Sequence, residues 1–151
     1  MNARNDIAMN EFDGQFPPEA VPMWKDPSLV PEQSVLGALL SGGAEAFDQA
    51  AGLITAGSFA HPLHQGIWTA VEALILAGRD IDPVIVLQGL QGKVDDAYAD
   101  GLPSYLNNLT GSFASVRMVA HHAQIVANLH KLRLVSEAYD KLGDLLRDKA
   151  L

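Results

Sequence analysis

The chain has 151 residues, no cysteine and a net charge of −8, a size that suits one domain with its own core and a composition that excludes disulfide scaffolds, thiolate nucleophiles and cysteine-based zinc sites. The charge is uneven: residues 1–116 hold four basic against fourteen acidic residues, net −10, and the remainder holds six basic against four acidic, net +2. Tight nucleic-acid binding needs clustered Lys and Arg to displace phosphate counterions, so strong DNA binding by this chain alone is not expected.

The N-terminus carries Asp6, Glu11 and Asp13 instead of a basic and then apolar signal. No apolar run reaches the roughly 18 residues that span a bilayer. A soluble, cytoplasmic protein without a membrane partner is expected. Residues 1–27, with Pro17, Pro18 and Pro22 and little apolar periodicity, read as a disordered or extended arm in which Trp24 is placed to pin the arm to the body or to a neighbour.

Pro31 suits a first helical turn, because its missing N–H costs nothing there. Val35, Leu36, Leu39 and Leu40 then form one apolar stripe, ended by Gly42 and Gly43. A second short helix is expected over 44–54, with Gly57 as its stop. From 62 to 77, Ile67, Val71 and Leu74 recur at i, i+4 and i+7 and predict a helix with one buried face, ended by Gly78. Asp82 followed by Pro83 is a helix start, with an acceptor for the first amides and a pre-set first turn. The β-branched segment 84–90 is read as a short helix because it has no partner strand.

After the acidic loop 95–100, Pro103 opens a helix carrying Tyr105, Leu106 and Leu109, ended by Gly111, and Ser115 is placed to cap the next segment. From 116 to about 146, Val119, Ala123, Val126, Leu129, Leu132, Val135, Tyr139 and Leu142 recur at spacings of three and four. One long helix or two helices folded as a hairpin satisfy that pattern, and no heptad register extends far enough to claim a coiled coil. With the hairpin, the fold class is all-α: a compact multi-helix head (28–114) and a long C-terminal helical hairpin with the start of a linker (115–151).

Catalytic constellations are missing from the sequence. A phosphate-binding loop needs spaced glycines before Lys and then Ser or Thr; the one Gly-Lys pair, Gly92 and Lys93, is followed by Val94. No ATP, Mg or other cofactor is therefore expected in this chain. His61 and His64 stand at i, i+3 near a helix start without carboxylates at helical spacing to complete a metal site, and in a second group, His121, His122 and His130, the adjacent pair on a helix would point about 100° apart. His64 reads as a polar group satisfied inside the fold and the others as surface or interface residues. Asp95, Asp96 and Asp100 lack the donor pattern of a calcium loop and read as a solvated acidic loop. Trp68 reads as core or interface packing.

Four collinear segments carry a family resemblance. Pro31, Glu32, Gln33, Ser34, Val35, Leu36, Gly37, Ala38, Leu39 and Leu40 run consecutively; Phe59, Pro62, His64 and Ile67 follow; then come Asp82, Pro83 and Val84, and Gly101 with Tyr105 and Leu106. In that order and spacing they resemble the N-terminal domain of the bacterial replicative DNA helicases of the DnaB type, over about residues 30–142. Gln33, Gly37, Pro62, His64 and Ile67 are then fold-defining positions, Gly37 for close helix–helix approach. The resemblance implies a non-catalytic collar domain of a hexameric helicase that pairs with neighbouring copies through its terminal hairpin and docks primase. ATP and Mg would belong to a motor domain that this sequence does not contain. The self-association residues expected on this basis are Val119, Val126, Leu129, Leu132, Val135 and Tyr139. Partners implied are a second copy (dimer, or hexamer in a full helicase), primase, and helicase-loading or phage and plasmid replication proteins. A stand-alone regulator that occupies a host helicase's collar is the alternative. The arm with Trp24 and the acidity of loop 95–100 depart from the family pattern.

Overall fold

A computed structural model of the chain describes residues 26–112 and 115–150, with side chains for all of these but Ser112. The expected arm up to Lys25, Trp24 included, lies outside the described residues. Five α-helices and short 3₁₀ turns make up the described part, which contains no strand.

Asp26 caps the entry, its Oδ1 accepting from the Ser28 amide at 2.9 Å, and a 3₁₀ turn over Pro27–Leu29 leads into α1, Val30–Ala51. Pro31 lies in the first turn as expected. Val35, Leu36, Ala38 and Leu39 are fully buried along it. The two helices expected on either side of the glycine pair run together as α1 across a break at Gly43, whose φ of 59° and ψ of −137° are not helical, a geometry that costs a residue with Cβ far more than glycine. Beyond the break Ala46, Phe47 and Ala50 return to the core. The helix ends at Ala51, and Gly57 is no stop; it sits inside a separate 3₁₀ turn, Ala56–Ser58.

Helix α2, Pro62–Leu76, starts with His61 at its N-cap, Nδ1 accepting from the Leu63 amide at 3.1 Å. Gly78, at φ 67°, reverses the chain after it, and the amides of Gly78 and Arg79 close onto the carbonyls of Ile75 and Leu74. These bonds satisfy acceptors that a helix end otherwise leaves open. Helix α3, Pro83–Leu90, begins as its sequence predicts: Asp82 Oδ1 accepts from Val84 at 2.7 Å and from Ile85 at 2.9 Å. Helix α4 covers Leu102–Ser112. Ser115 stands at the N-cap of a 3₁₀ turn over Val116–Met118, but its side chain makes no capping bond there.

The long terminal segment is one helix, α5, Val119–Ala150, and not the expected hairpin. Between Val119 and Leu142 there is no Gly, Pro or cap residue pair to turn the chain, and Gly143 is carried inside the helix. Helix α1 is the hub: α2, α4 and the first part of α5 all pack on it. Leu63, Ile67, Trp68, Val71, Leu106 and Leu109 fill the core from α2 and α4, and Val119, Ala123 and Val126 close it from α5. Phe47 and Phe59 flank Trp68 with ring centroids 4.9 and 5.6 Å away.

Two of the described glycines stand where a side chain would collide with a neighbour. A Cβ at Gly42 would stand 2.4 Å from Val116 Cγ2, and one at Gly66 would stand 2.8 Å from Val94 Cγ1. On helix propensity alone Gly42→Ala would stabilise by about 1 kcal/mol. The contact with Val116 reverses the sign, and a net loss of about 1–3 kcal/mol is expected from the forced shift. Urea unfolding of this variant, with a higher midpoint than the parent as the contrary result, checks the packing of α1 on the 3₁₀ turn that leads into α5.

Candidate functional site

A buried polar cluster joins three helices of the head. His64, 0% exposed, places Nδ1 2.8 Å from Oε1 of Glu32 and Nε2 2.6 Å from the Tyr105 hydroxyl. Gln33 Nε2 donates to the same hydroxyl at 3.2 Å, and the Ala60 amide donates to Glu32 Oε2 at 2.7 Å. The contacts close as a chain when Tyr105 donates to His64 Nε2 and His64 Nδ1–H donates to the carboxylate. Burial holds the Tyr105 phenol well above its ordinary range, opposed by the Gln33 hydrogen bond and aided by the Glu32 charge. Glu32 and Gln33 come from α1, His64 from α2 and Tyr105 from α4, so the cluster fixes the mutual placement of all three. Glu32 and His64 are 2% and 0% exposed, so these contacts lie within the packed head and serve its architecture.

Of the five expected fold-defining residues, Gln33 and His64 meet in this cluster, Pro62 takes the first position of α2 and Ile67 is fully buried beside Trp68. Gly37 is buried within α1. Glu32 is the residue that a search for carboxylates at helical spacing around His64 misses, because it lies 32 positions earlier on another helix. Its own legible signal is an acidic residue one turn before a wholly apolar stripe.

The expected self-association residues divide. Val119 and Val126 are not on a free surface: both are buried, because that face of α5 is turned onto α1. Leu129 is half-buried and lines, with Ser28, Leu29, Ala60 and Leu132, a cavity of about 360 Å³ where α5 leaves the head. Arg133 makes the last anchor, its Nη2 donating to the Ser58 carbonyl at 2.7 Å. Past it the helix projects for about 25 Å at 1.5 Å per residue. Leu132, beside this anchor, is 65% exposed, and on the projection Val135 and Tyr139 are 66% and 75% exposed, with Leu142, Leu145 and Leu146 exposed as well. Positions 132, 135, 139, 142 and 146 alternate by three and four, the spacing of a helix–helix seam. The repeat lasts two heptads and begins only where the head ends, which is why the whole segment shows no sustained register.

Among the described residues no three His, Asp or Glu side chains come together in a way that could hold a metal ion. Burial, helped by the neighbouring His64, lowers the His61 pKa to about 4, against the pull of Glu32. The folded protein therefore resists protonating a ring whose Nδ1 must accept the cap bond from Leu63. Unfolded, the same ring takes up its proton near its ordinary 6.5. Between those values the unfolded state binds more protons, so stability from this residue is complete above about pH 6.5 and lost as pH falls toward 4. Denaturant midpoints at stepped pH should show that decline, flattened in His61→Asn, which keeps a capping acceptor but does not titrate; an equal decline in both proteins would assign the effect elsewhere.

Comparison with known proteins agrees with this geometry. The family model described as DnaB-like helicase N terminal domain matches residues 26–128. The chain is 33% identical over 146 residues to the replicative DNA helicase DnaB of Rhodothermus marinus, covering 91% of this chain and 14% of that protein. It is 29% identical over 134 residues to the replicative DNA helicase DnaB of Mycobacterium leprae (strain TN), covering 89% of this chain and 22% of that protein. The chain thus spans less than a quarter of the length of these relatives. Its fold superposes on the crystal structure of the N-terminal domain of DnaB helicase from Mycobacterium tuberculosis with a TM-score of 0.70, at 28% identity, over 77% of this chain and 79% of that one. None of the described helices is long and apolar enough to cross a membrane. The matched region is the non-catalytic part of these helicases, and the chain belongs to the DnaB-like helicase N-terminal domain family.

Proposed function

We propose that the chain acts as a collar domain of a replicative helicase, joining copies of itself through the projecting half of α5 and offering its head as a docking surface for primase. The observation that carries the reading is the exposed seam from Leu132 to Leu146: large apolar side chains at three-and-four spacing, on a helix that the head no longer covers. Contiguous apolar surface of this kind marks an interaction site. The buried cluster around His64 supports the same reading, because a rigid head gives neighbouring copies and partners a fixed surface to meet. Helicase loaders and phage or plasmid replication proteins are further partners of the same class, and the cytoplasm is the setting of all of them. Nucleotide chemistry would belong to a motor domain joined to such a collar.

The chain, mixed with the primase of its own organism and passed through size-exclusion chromatography, should elute as a complex, and alone it should elute larger than a monomer. A strict monomer that also fails to bind that primase would remove the reading.

A further inference from the structure

We infer that the groove between α3 and α4 is a docking site for a partner-protein segment that carries an apolar anchor flanked by Lys or Arg. This rests on the docking half of the proposed function and not on the self-association half, since no residue of α5 lines the groove.

The groove encloses about 340 Å³, with Leu87, Leu90, Val94 and Leu102 on its floor and Asp95 and Asp96 on its rim. An apolar floor gains from an inserted aliphatic or aromatic side chain, while the rim selects what flanks it. Between Arg79 and Arg117 the sequence sets five aspartates, Asp80, Asp82, Asp95, Asp96 and Asp100, against the single cation Lys93. An acidic flank would be repelled on approach and a basic one steered in. Asp95 is partly committed, since it accepts from the Ala97 amide at 2.9 Å; exposed Asp96 is the carboxylate placed to meet a cation. A second cavity of about 220 Å³, bordered by Pro62, Leu63, Lys93 and Tyr98, adjoins the groove, and Val94 and Asp95 line both spaces.

The rival occupant is the end of α5 from a second copy, where Leu145 and Leu146 precede Arg147 and Lys149. There Arg147 is already paired with Asp144, and Asp148 follows it, so that segment brings little positive charge. A foreign basic segment fits the rim better.

The test is to pan a displayed library of random 12-residue peptides on the whole chain, then map the strongest binder by amide chemical shifts and titrate it. Enriched peptides should pair Leu, Ile or Phe with Lys or Arg and shift amides in 87–103. Exposed Ala99 lines the groove, and Ala99→Trp should fill its mouth and weaken binding at least about tenfold; Asp96→Lys should weaken it about tenfold at low salt and less at high salt. Melting of both variants should match the parent. Peptides without basic residues, or undiminished binding by Ala99→Trp, would overturn the groove. Binding elsewhere on the protein, or no enrichment at all, would overturn the groove and leave the docking reading to the primase co-elution experiment. A peptide of residues 141–151 that displaces the selected binder from the groove would make a second copy the occupant, which also overturns the proposal.

Discussion

Replacing His64 with alanine should lower the stability of the head by about 3–5 kcal/mol, because two buried groups, one of them a carboxylate, each lose a hydrogen-bond partner. The loss has two sources. Glu32 keeps its bond from the Ala60 amide but loses its contact with the imidazole, and the Tyr105 hydroxyl loses its 2.6 Å contact with Nε2. Hydrogen bonds to charged groups contribute about 1.5–3 kcal/mol each, so most of the effect follows from the first. Domains of this size are stable by about 5–15 kcal/mol in total, and the melting temperature should fall by about 10 °C or more. Tyr105→Phe should cost less, since it removes a neutral group and keeps the ring. The double variant should be less destabilised than the sum of the two singles, because both changes break the same Tyr105–His64 contact. Thermal unfolding followed by circular dichroism reads all three. A His64→Ala protein that melts with the parent would mean that the cluster does not hold α1, α2 and α4 together.

The second large effect concerns the seam. Val135→Asp combined with Tyr139→Asp should leave the head's stability within about 0.5 kcal/mol of the parent, as for exposed sites away from packing. Self-association should weaken by at least about a hundredfold, because two carboxylates per copy would have to be buried unpaired in an apolar contact. Leu129→Asp is a poorer probe, since Leu129 is half-buried against the head and its loss confounds folding with association. Sedimentation velocity separates the two: an unchanged association constant in the double variant would place the interface elsewhere.

Much of the head was legible from the sequence because its boundaries are local. Asp82 with Pro83, Pro62 and Gly78 each set a helix end through bonds to their nearest neighbours, and the structure puts those ends where the residues call for them. Tertiary relations were not legible in the same way. The Glu32–His64–Tyr105 cluster joins three helices, and no periodicity within one helix reveals it. The same holds for the stripe on α5. Val119 and Val126 share the apolar spacing of Leu132 and Tyr139, yet the first two face α1 and the last two face solvent, because what divides them is where the head ends. Gly42 and Gly43 signalled a break correctly, and the non-helical backbone at Gly43 divides α1 into two helical stretches where the sequence calls for it. The hairpin failed for a related reason: the pattern of α5 calls for a partner along its apolar side, and the sequence does not say that the partner must come from the same chain.

The absence of cysteine allows a direct test of the seam. Val135→Cys and Tyr139→Cys, oxidised mildly at concentrations where the chain associates, should each form disulfide-linked dimers or join in mixed pairs, while Gln88→Cys, exposed on the head, should remain a monomeric thiol. Efficient cross-linking through Gln88→Cys with none at positions 135 and 139 would contradict the claim that the projecting half of α5 is where copies of this chain meet.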